Sequence, residues 1–257
     1  MSPDVFDNNT VSVIMPAYQS EAYIKEAIES VVSQTYEDWE LLVYNDGSTD
    51  ATESIAVSYS EKDPRIKILD GGSNKGLVNA RNSSVSEAKG RYLAFLDSDD
   101  IWKPEKLKTQ VEFMGINDCP FCYSSYEYIY ENGERAGKRV NRTKKMASYG
   151  SLLANNYIGM LTVMIDRKQI QRIEFPMIHH EDLALWLRLL KQGVVMMGIK
   201  QSLAFYRIRK SSLSGNKIKS GKWRWNIYYR AEQLGFLRST WYFVLYMVNS
   251  IRKRPLL

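Results

Sequence analysis

The chain has 257 residues, 44% of them hydrophobic, enough to bury a full core as one domain or as one domain plus an appendage. Its net charge of +6 is uneven: from Arg207 to Leu257 there are 12 Lys/Arg against one acid, while the first 206 residues are net acidic, so the tail suits an anionic partner. No basic-then-apolar leader and no apolar run near the roughly 20 residues of a spanning helix is present, which excludes a transmembrane class and leaves the chain expected on the side of the membrane where it is made.

Residues 11–16 read as a first strand, stopped by a proline that cannot donate to a ladder. Ser20 is placed to cap a following helix in which Ile24, Ala27, Ile28, Val31 and Val32 recur at helical spacing. Residues 39–44 form a second strand running into Asn45-Asp46-Gly47-Ser48, and Asp50 with Glu53 has the spacing of a capping box for the next helix. A strand at 66–69, a Gly-rich turn at 71–76, a helix over 77–89 closed by Gly90, and a strand at 92–96 follow. Such alternation predicts βαβ units and a mostly parallel sheet, whose ligands bind beyond the carboxyl ends of the strands. Asp46, the acids after residue 96 and the loop after Met15 all sit at such ends.

Further on, a helix opens at Pro104, residues 121–130 read as a strand turned at Asn132-Gly133 into a hairpin, and another strand lies near 161–165. His179-His180-Glu181-Asp182 precede a helix carrying Leu183, Leu185, Trp186, Leu189 and Leu190, ended by Gly193, and residues 194–206 return a strand or two. Cys119 and Cys122 form a C-x-x-C among β-forming residues, with no second pair to complete the roughly four ligands of a structural zinc, so both are expected reduced and half-buried in a strand.

The chemistry gathers at Asp97-Ser98-Asp99-Asp100. In extended backbone Asp97 and Asp99 project to one side, and two hard oxygen ligands at that spacing suit Mg²⁺ or Mn²⁺, which takes further ligands from water and substrate phosphates. A solvated acidic turn before the helix at Pro104 is the alternative that this stretch alone leaves open.

Five motifs stand in order: Val13-Ile14-Met15-Pro16-Ala17-Tyr18; Asp46-Gly47-Ser48-Thr49-Asp50; Asn74-Lys75-Gly76 with Ala80-Arg81-Asn82; Asp97-Ser98-Asp99-Asp100; and Glu181-Asp182 before Leu185-Trp186-Leu187-Arg188. Over residues 11–214 the chain resembles a family-2 inverting glycosyltransferase of the GT-A fold, of the kind that builds bacterial surface polysaccharide. The resemblance implies an α/β, Rossmann-like mixed and mostly parallel sheet flanked by helices. It divides the chain into an N-terminal arm (1–10), a catalytic domain (11–214, with a nucleotide half at about 11–103 and an acceptor half at about 104–214) and a basic, aromatic helical extension (215–257).

The same resemblance implies transfer of a sugar from a nucleotide-diphosphate donor, UDP-linked by preference, to a hydroxyl of a glycan or a polyprenyl-diphosphate-linked acceptor, in O-antigen, capsule or exopolysaccharide synthesis. Pro16, Ala17, Tyr18, Asn74, Gly76, Arg81, Ser98, Trp102 and Glu181 would line the nucleotide sugar. Asp46 would accept the N3–H of uracil or thymine, a proton cytosine lacks. Asp97 would serve the ribose or the metal and Asp99 the metal, Mn²⁺ or Mg²⁺; Asp99 is favoured as the direct ligand. Asp182 would be the general base, its ionised form favoured by the first turn of a helix. Residues 205–214 resemble a segment that closes over the pyrophosphate in relatives, which commonly carry histidine where this chain has Arg209; Arg207 or Arg209 is expected to fork the diphosphate from such a lid. His179 and His180 are expected to shape the acceptor pocket.

In the tail, Trp223, Trp225, Tyr228, Tyr229, Phe236 and Trp241 alternate with Arg224, Arg230 and Arg238, ending in Arg252-Lys253-Arg254. Two readings stay open, a helix in the interface of an anionic membrane, which the composition favours, and a helix packed on the domain. The first implies a cytoplasmic protein attached peripherally to the inner face of the cell membrane. Two rivals compete. A haloacid-dehalogenase-like phosphatase shares the Asp-x-Asp but wants Thr or Val at Ile101 and an earlier position. A non-catalytic basic binder of membrane or nucleic acid leaves the acids unexplained, and no nucleic-acid partner is expected.

Overall fold

The computed structural model describes residues 9–139, 143–209 and 217–252. Of the expected features, most of the N-terminal arm, the end of the lid segment (210–214) and the terminal Lys253-Arg254 lie outside the described residues.

Val11–Ala17 (β1), Trp39–Asn45 (β2), Ile66–Asp70 (β3) and Tyr92–Phe95 (β4) run parallel, joined by Ile24–Val32 (α1), Thr52–Ser60 (α2) and Leu77–Glu87 (α3). Ile101–Trp102 (β5), Lys106–Asn117 (α4), Phe121–Ile129 (β6), Arg135–Arg139 (β7), Tyr149–Ala154 (α5), Met164–Asp166 (β8), Glu181–Lys191 (α6) and Met196–Arg207 (β9) follow. Lys217–Asn226 (α7), a π-helical turn at Ile227–Ala231 and Gly235–Arg252 (α8) end the described chain. Among the described residues one sheet has the order β3-β2-β1-β4-β8-β6-β9-β5, with β7 on β6. Strands from both expected halves share it; the first half is parallel, and β8 enters antiparallel between β4 and β6.

β1 is buried along its whole length because both faces of the sheet are covered. Val13 and Met15 pack with Ile24 and Ile28 on one side, while Ile14 packs with Phe95 and Trp186 on the other. Each large apolar side chain so buried contributes about 1.5–3 kcal/mol. β1 therefore cannot shift without exposing one row or the other, and the loops at its carboxyl end are held from below.

Local signals at the helix ends differ from expectation. Tyr23, not Ser20, is the residue before α1 and no side chain caps that helix; the Ser20 hydroxyl instead donates to the Tyr18 carbonyl and shares a 2.7 Å hydrogen bond with Ser98. Asp50 accepts from Thr52 N–H, but Glu53 accepts from Asn45, so the capping box does not close. α3 ends in an extended Ala88, and Gly90 is required for a different reason: a Cβ there would lie 2.5 Å from the Thr10 carbonyl oxygen. Cys119 and Cys122 are free, and both are fully rather than half buried.

The tail packs by one face. Ile227 and Tyr228 are buried, the Tyr228 hydroxyl donates to the Leu153 carbonyl, and Asn249 donates to the Ala154 carbonyl at 3.2 Å. The opposite face of α8 is open, with Leu237 83% and Trp241 63% exposed. No helix among the described residues is long and apolar enough to cross a membrane.

Candidate functional site

The sheet reverses direction of growth at β1, which has β2 on one side and β4 on the other. Their carboxyl ends open a crevice there, and β4 runs straight into Asp97-Ser98-Asp99-Asp100. On the far side α6 begins at Glu181, with His180 in left-handed conformation (φ 59°) turning the chain into the helix and placing Glu181 and Asp182 in its first turn. Burial of Leu183, Leu185, Trp186 and Leu187 fixes that helix against the sheet.

Arg81, whose side chain is 4% exposed, joins the two sides. Its Nη2 donates to Asp97 Oδ1 at 2.7 Å and its Nη1 donates to Glu181. Asp182 is left to accept from Asn156 Nδ2 at 2.9 Å. Arg209 Nη1 donates to Asp99 Oδ2 at 2.9 Å. Burial first, then the charge of Asp97, holds the Asp99 carboxyl above the usual carboxylate range despite Arg209; burial and its two acidic neighbours push buried Asp100 well up. Glu181 is raised by burial, with Arg81 opposing.

A cavity of about 830 Å³ lies between these groups, and Arg81, Asp97, Glu181, Asp182 and Arg209 all line it. Gly76, His179 and His180 line it too. Tyr18, next after the end of β1, is 50% exposed, whereas Pro16 and Ala17 are buried.

Four expected nucleotide-sugar residues have partners within the protein. Trp102 is 2% exposed and its Nε1 donates to the Leu161 carbonyl at 2.8 Å, because β5 pairs with β9 and turns the indole into the core. The hydroxyl of Ser98 is spent on Ser20. Asp46, 3% exposed, accepts the N–H groups of Lys75 and Gly76 at 2.8 and 2.9 Å, so its carboxylate holds the Asn74–Gly76 loop. That loop also lies against Gly47, where a Cβ would come 2.8 Å from Asn74 N, and Asn74 itself is exposed. Arg207, 3% exposed, donates to the carbonyls of Asp99, Tyr130 and Glu131 and pairs with Glu26, so four of its five N–H donors are engaged inside the protein.

Several lining residues carried no signal in the sequence. Asn156, which orients Asp182, comes from the irregular segment after α5; Tyr126, Tyr128 and Tyr206 form one wall as neighbouring strand residues with ring centroids 5.6–5.9 Å apart. From the extension, Trp223 stacks on His179 at 3.9 Å and Arg224 reaches the same cavity.

The residues present fit a divalent cation in one specific way. Asp97 and Asp99 are two hard oxygen donors, and among the described residues no group of three or more His, Cys, Asp or Glu is arranged as a cage. Mg²⁺ and Mn²⁺ are held in that manner, by one or two carboxylates with the rest of the shell from water and phosphate.

The model for glycosyl transferase family 2 matches residues 12–172. Over 245 residues the chain is 41% identical to a putative teichuronic acid biosynthesis glycosyltransferase, TuaG, of Bacillus subtilis, covering 95% of this chain and 97% of that protein. It is 40% identical over 248 residues to WfgD of Escherichia coli, a UDP-Glc:α-D-GlcNAc-diphosphoundecaprenol β-1,3-glucosyltransferase, covering 96% of each. Its backbone matches the mannosyltransferase PcManGT from Pyrobaculum calidifontis, solved with GDP-Man and Mn²⁺, at TM-score 0.72 and 17% identity over 96% of this chain and 75% of that one. With its motifs in order on a GT-A fold, the chain is a glycosyltransferase and belongs to glycosyl transferase family 2.

Proposed function

We propose that this chain transfers a glycosyl residue, with inversion, from a UDP-sugar to a hydroxyl of a sugar carried on a lipid diphosphate, in synthesis of a bacterial surface polysaccharide. The observation that carries the reading is that Asp97 and Asp182 line one cavity from opposite sides, tied together through Arg81 and Glu181. The full-length likeness to WfgD supports the donor and acceptor classes.

In this reading Tyr18 takes the base on its ring and Arg209 turns to the diphosphate. A divalent cation, Mn²⁺ or Mg²⁺, held by Asp97 and Asp99 would supply positive charge where the β-phosphate becomes a leaving group. Asp182 accepts the proton of the acceptor hydroxyl as that oxygen bonds to the anomeric carbon and the bond to the phosphate oxygen breaks on the opposite face. Asn156 fixes the orientation of Asp182, and Arg81 holds the two acidic clusters at constant separation, so that donor and acceptor meet aligned.

The same reading sets the protein at the inner face of the cell membrane, resting on it through the open side of α8, where exposed Phe236, Leu237, Trp241 and Val244 are accompanied by Arg230 and Arg238. The test is a donor screen with Mn²⁺, a panel of UDP-, dTDP- and GDP-sugars and a sugar-diphosphate lipid acceptor, with the anomeric configuration of the product read by NMR. UDP-sugar use with inversion is expected; a retained configuration, or transfer from none of the donors, would refute it.

A further inference from the structure

Arg224 of α7 is 5% exposed, yet its Nε and Nη1 find no hydrogen-bond acceptor among the described residues. Its guanidinium lies 4.7 Å from the centre of the Tyr246 ring of α8 and also meets the Tyr228 hydroxyl, contacts that leave the Nε and Nη1 edge unused. Burying a cation without an anion is costly, and among the described residues no carboxylate pairs with it. Both nearby acids are otherwise engaged: Glu181 with Arg81 and Asp182 with Asn156.

Arg224 also lines the catalytic cavity, on the side of Asp182. Next to it is His180, whose Nε2 is likewise buried and unpartnered. Burial, then the Arg224 charge, pushes the His180 imidazole below its usual value. Two orphaned nitrogen groups thus belong to residues lining one cavity, which Asp97 lines as well. The rim beside them is apolar: Met177 is 65% exposed, Ile178 39%, and Trp223 is stacked on His179. From there the chain continues through the π-helical turn into α8 and its open apolar side.

We propose that Arg224, with His180 beside it, forms an acceptor-diphosphate subsite contributed by the C-terminal extension. The inference rests on the reading of function above and adds to it the group that recognises the acceptor. A planar guanidinium fork matches two phosphate oxygens, and a phosphate is the one part of such an acceptor that can neutralise a buried arginine. With the diphosphate anchored there, the sugar attached to it extends toward Asp182, and the hydrocarbon leaves over Met177 and Ile178. The extension then acts as the selector for lipid-linked acceptors, in addition to packing on the catalytic domain.

The experiment uses the full chain and two acceptors: N-acetylglucosamine α-diphosphate joined to an undecyl chain, and the same sugar as an undecyl glycoside without phosphate. Wild-type protein should prefer the first in kcat/KM. Arg224→Gln should erase about 10- to 150-fold of that preference, the worth of a charge-assisted hydrogen bond, with Arg224→Lys between the two. Calorimetry of UDP binding with Mn²⁺ should give the same affinity for wild type and variant. Because the arginine lacks an internal anion, Arg224→Met should leave the melting temperature unchanged or raise it. A fall in melting temperature together with weaker UDP binding would make Arg224 a packing residue and overturn the proposal. A preference that survives Arg224→Gln, or a wild type indifferent to the diphosphate, overturns it as well. Wild-type protein that uses neither acceptor with any donor sinks the reading of function itself, which is a separate outcome.

Discussion

Arg209 donates to Asp99 at 2.9 Å, so the carboxylate expected to ligate a cation already has a guanidinium against it. Arg209 sits two residues past the end of β9 and is only half-buried, whereas Arg207 is locked inside. Of the two expected diphosphate clamps, Arg209 alone keeps a side chain that can turn to phosphate oxygens. Arg209→Ala should weaken UDP–Mn²⁺ binding and raise the donor KM by about 10-fold or more, the scale of a lost charge-assisted hydrogen bond. Wild-type values for UDP affinity, KM and kcat together would remove Arg209 from the diphosphate.

Glu181 and Asp182 are adjacent acids with different partners, and their variants should separate. Asp182→Asn should lower kcat by about 10²- to 10⁴-fold with donor affinity and melting temperature near wild type, because only the proton acceptor is lost. Glu181→Gln strips one anion from a buried arginine, a change worth toward the lower end of about 3–5 kcal/mol, and should lower the melting temperature. If Glu181→Gln is the catalytic loss and Asp182→Asn the stability loss, the two roles are exchanged.

Much of this was legible in the sequence where a short stretch carries its own signal. The parallel half came from apolar runs alternating with helical spacing, and the acids at 97, 99, 181 and 182 came from motifs that end a strand or begin a helix. What local reading missed depends on distant partners. Trp102 lies beside the acidic motif, yet its ring is turned inward by the pairing of β5 with β9, a strand 100 residues away. Arg207 has the composition of a phosphate clamp, but its partner Glu26 is 181 residues distant on α1. Asn156 stands in no motif, since its value lies wholly in facing Asp182.

Lys106 is fully buried, with its Nζ donating to Gln110 at 2.6 Å and lying 3.8 Å from the centre of the Trp102 ring. Burial lowers its pKa to about 7 from the ordinary value of a lysine. A folded-state pKa below the unfolded one means that the unfolded chain binds more protons between pH 7 and the usual lysine range, so stability rises with pH across that window and the full penalty is present below it. Lys106→Met removes the titration. Guanidinium unfolding of both proteins should show the variant gaining on wild type by about 2–3 kcal/mol more at pH 6 than at pH 9. A stability difference that does not move with pH would contradict the assignment.

The two faces of α8 make separable predictions about the membrane. Tyr228 and Asn249 tie the extension to α5, so deleting the whole tail would confuse loss of packing with loss of docking. Leu237 and Trp241 are 83% and 63% exposed, and changing them should cost little stability. If this face rests in a lipid interface, Leu237→Glu and Trp241→Glu should each weaken binding to vesicles containing anionic lipid by about 10-fold or more, since burying such a side chain is worth about 1.5–3 kcal/mol. Arg238→Glu should weaken it too, and its effect should shrink in high salt as the Coulombic part is screened. Flotation of all three variants as wild type, with unchanged melting temperatures, would leave the open face without a lipid role and the extension as a packed helix alone.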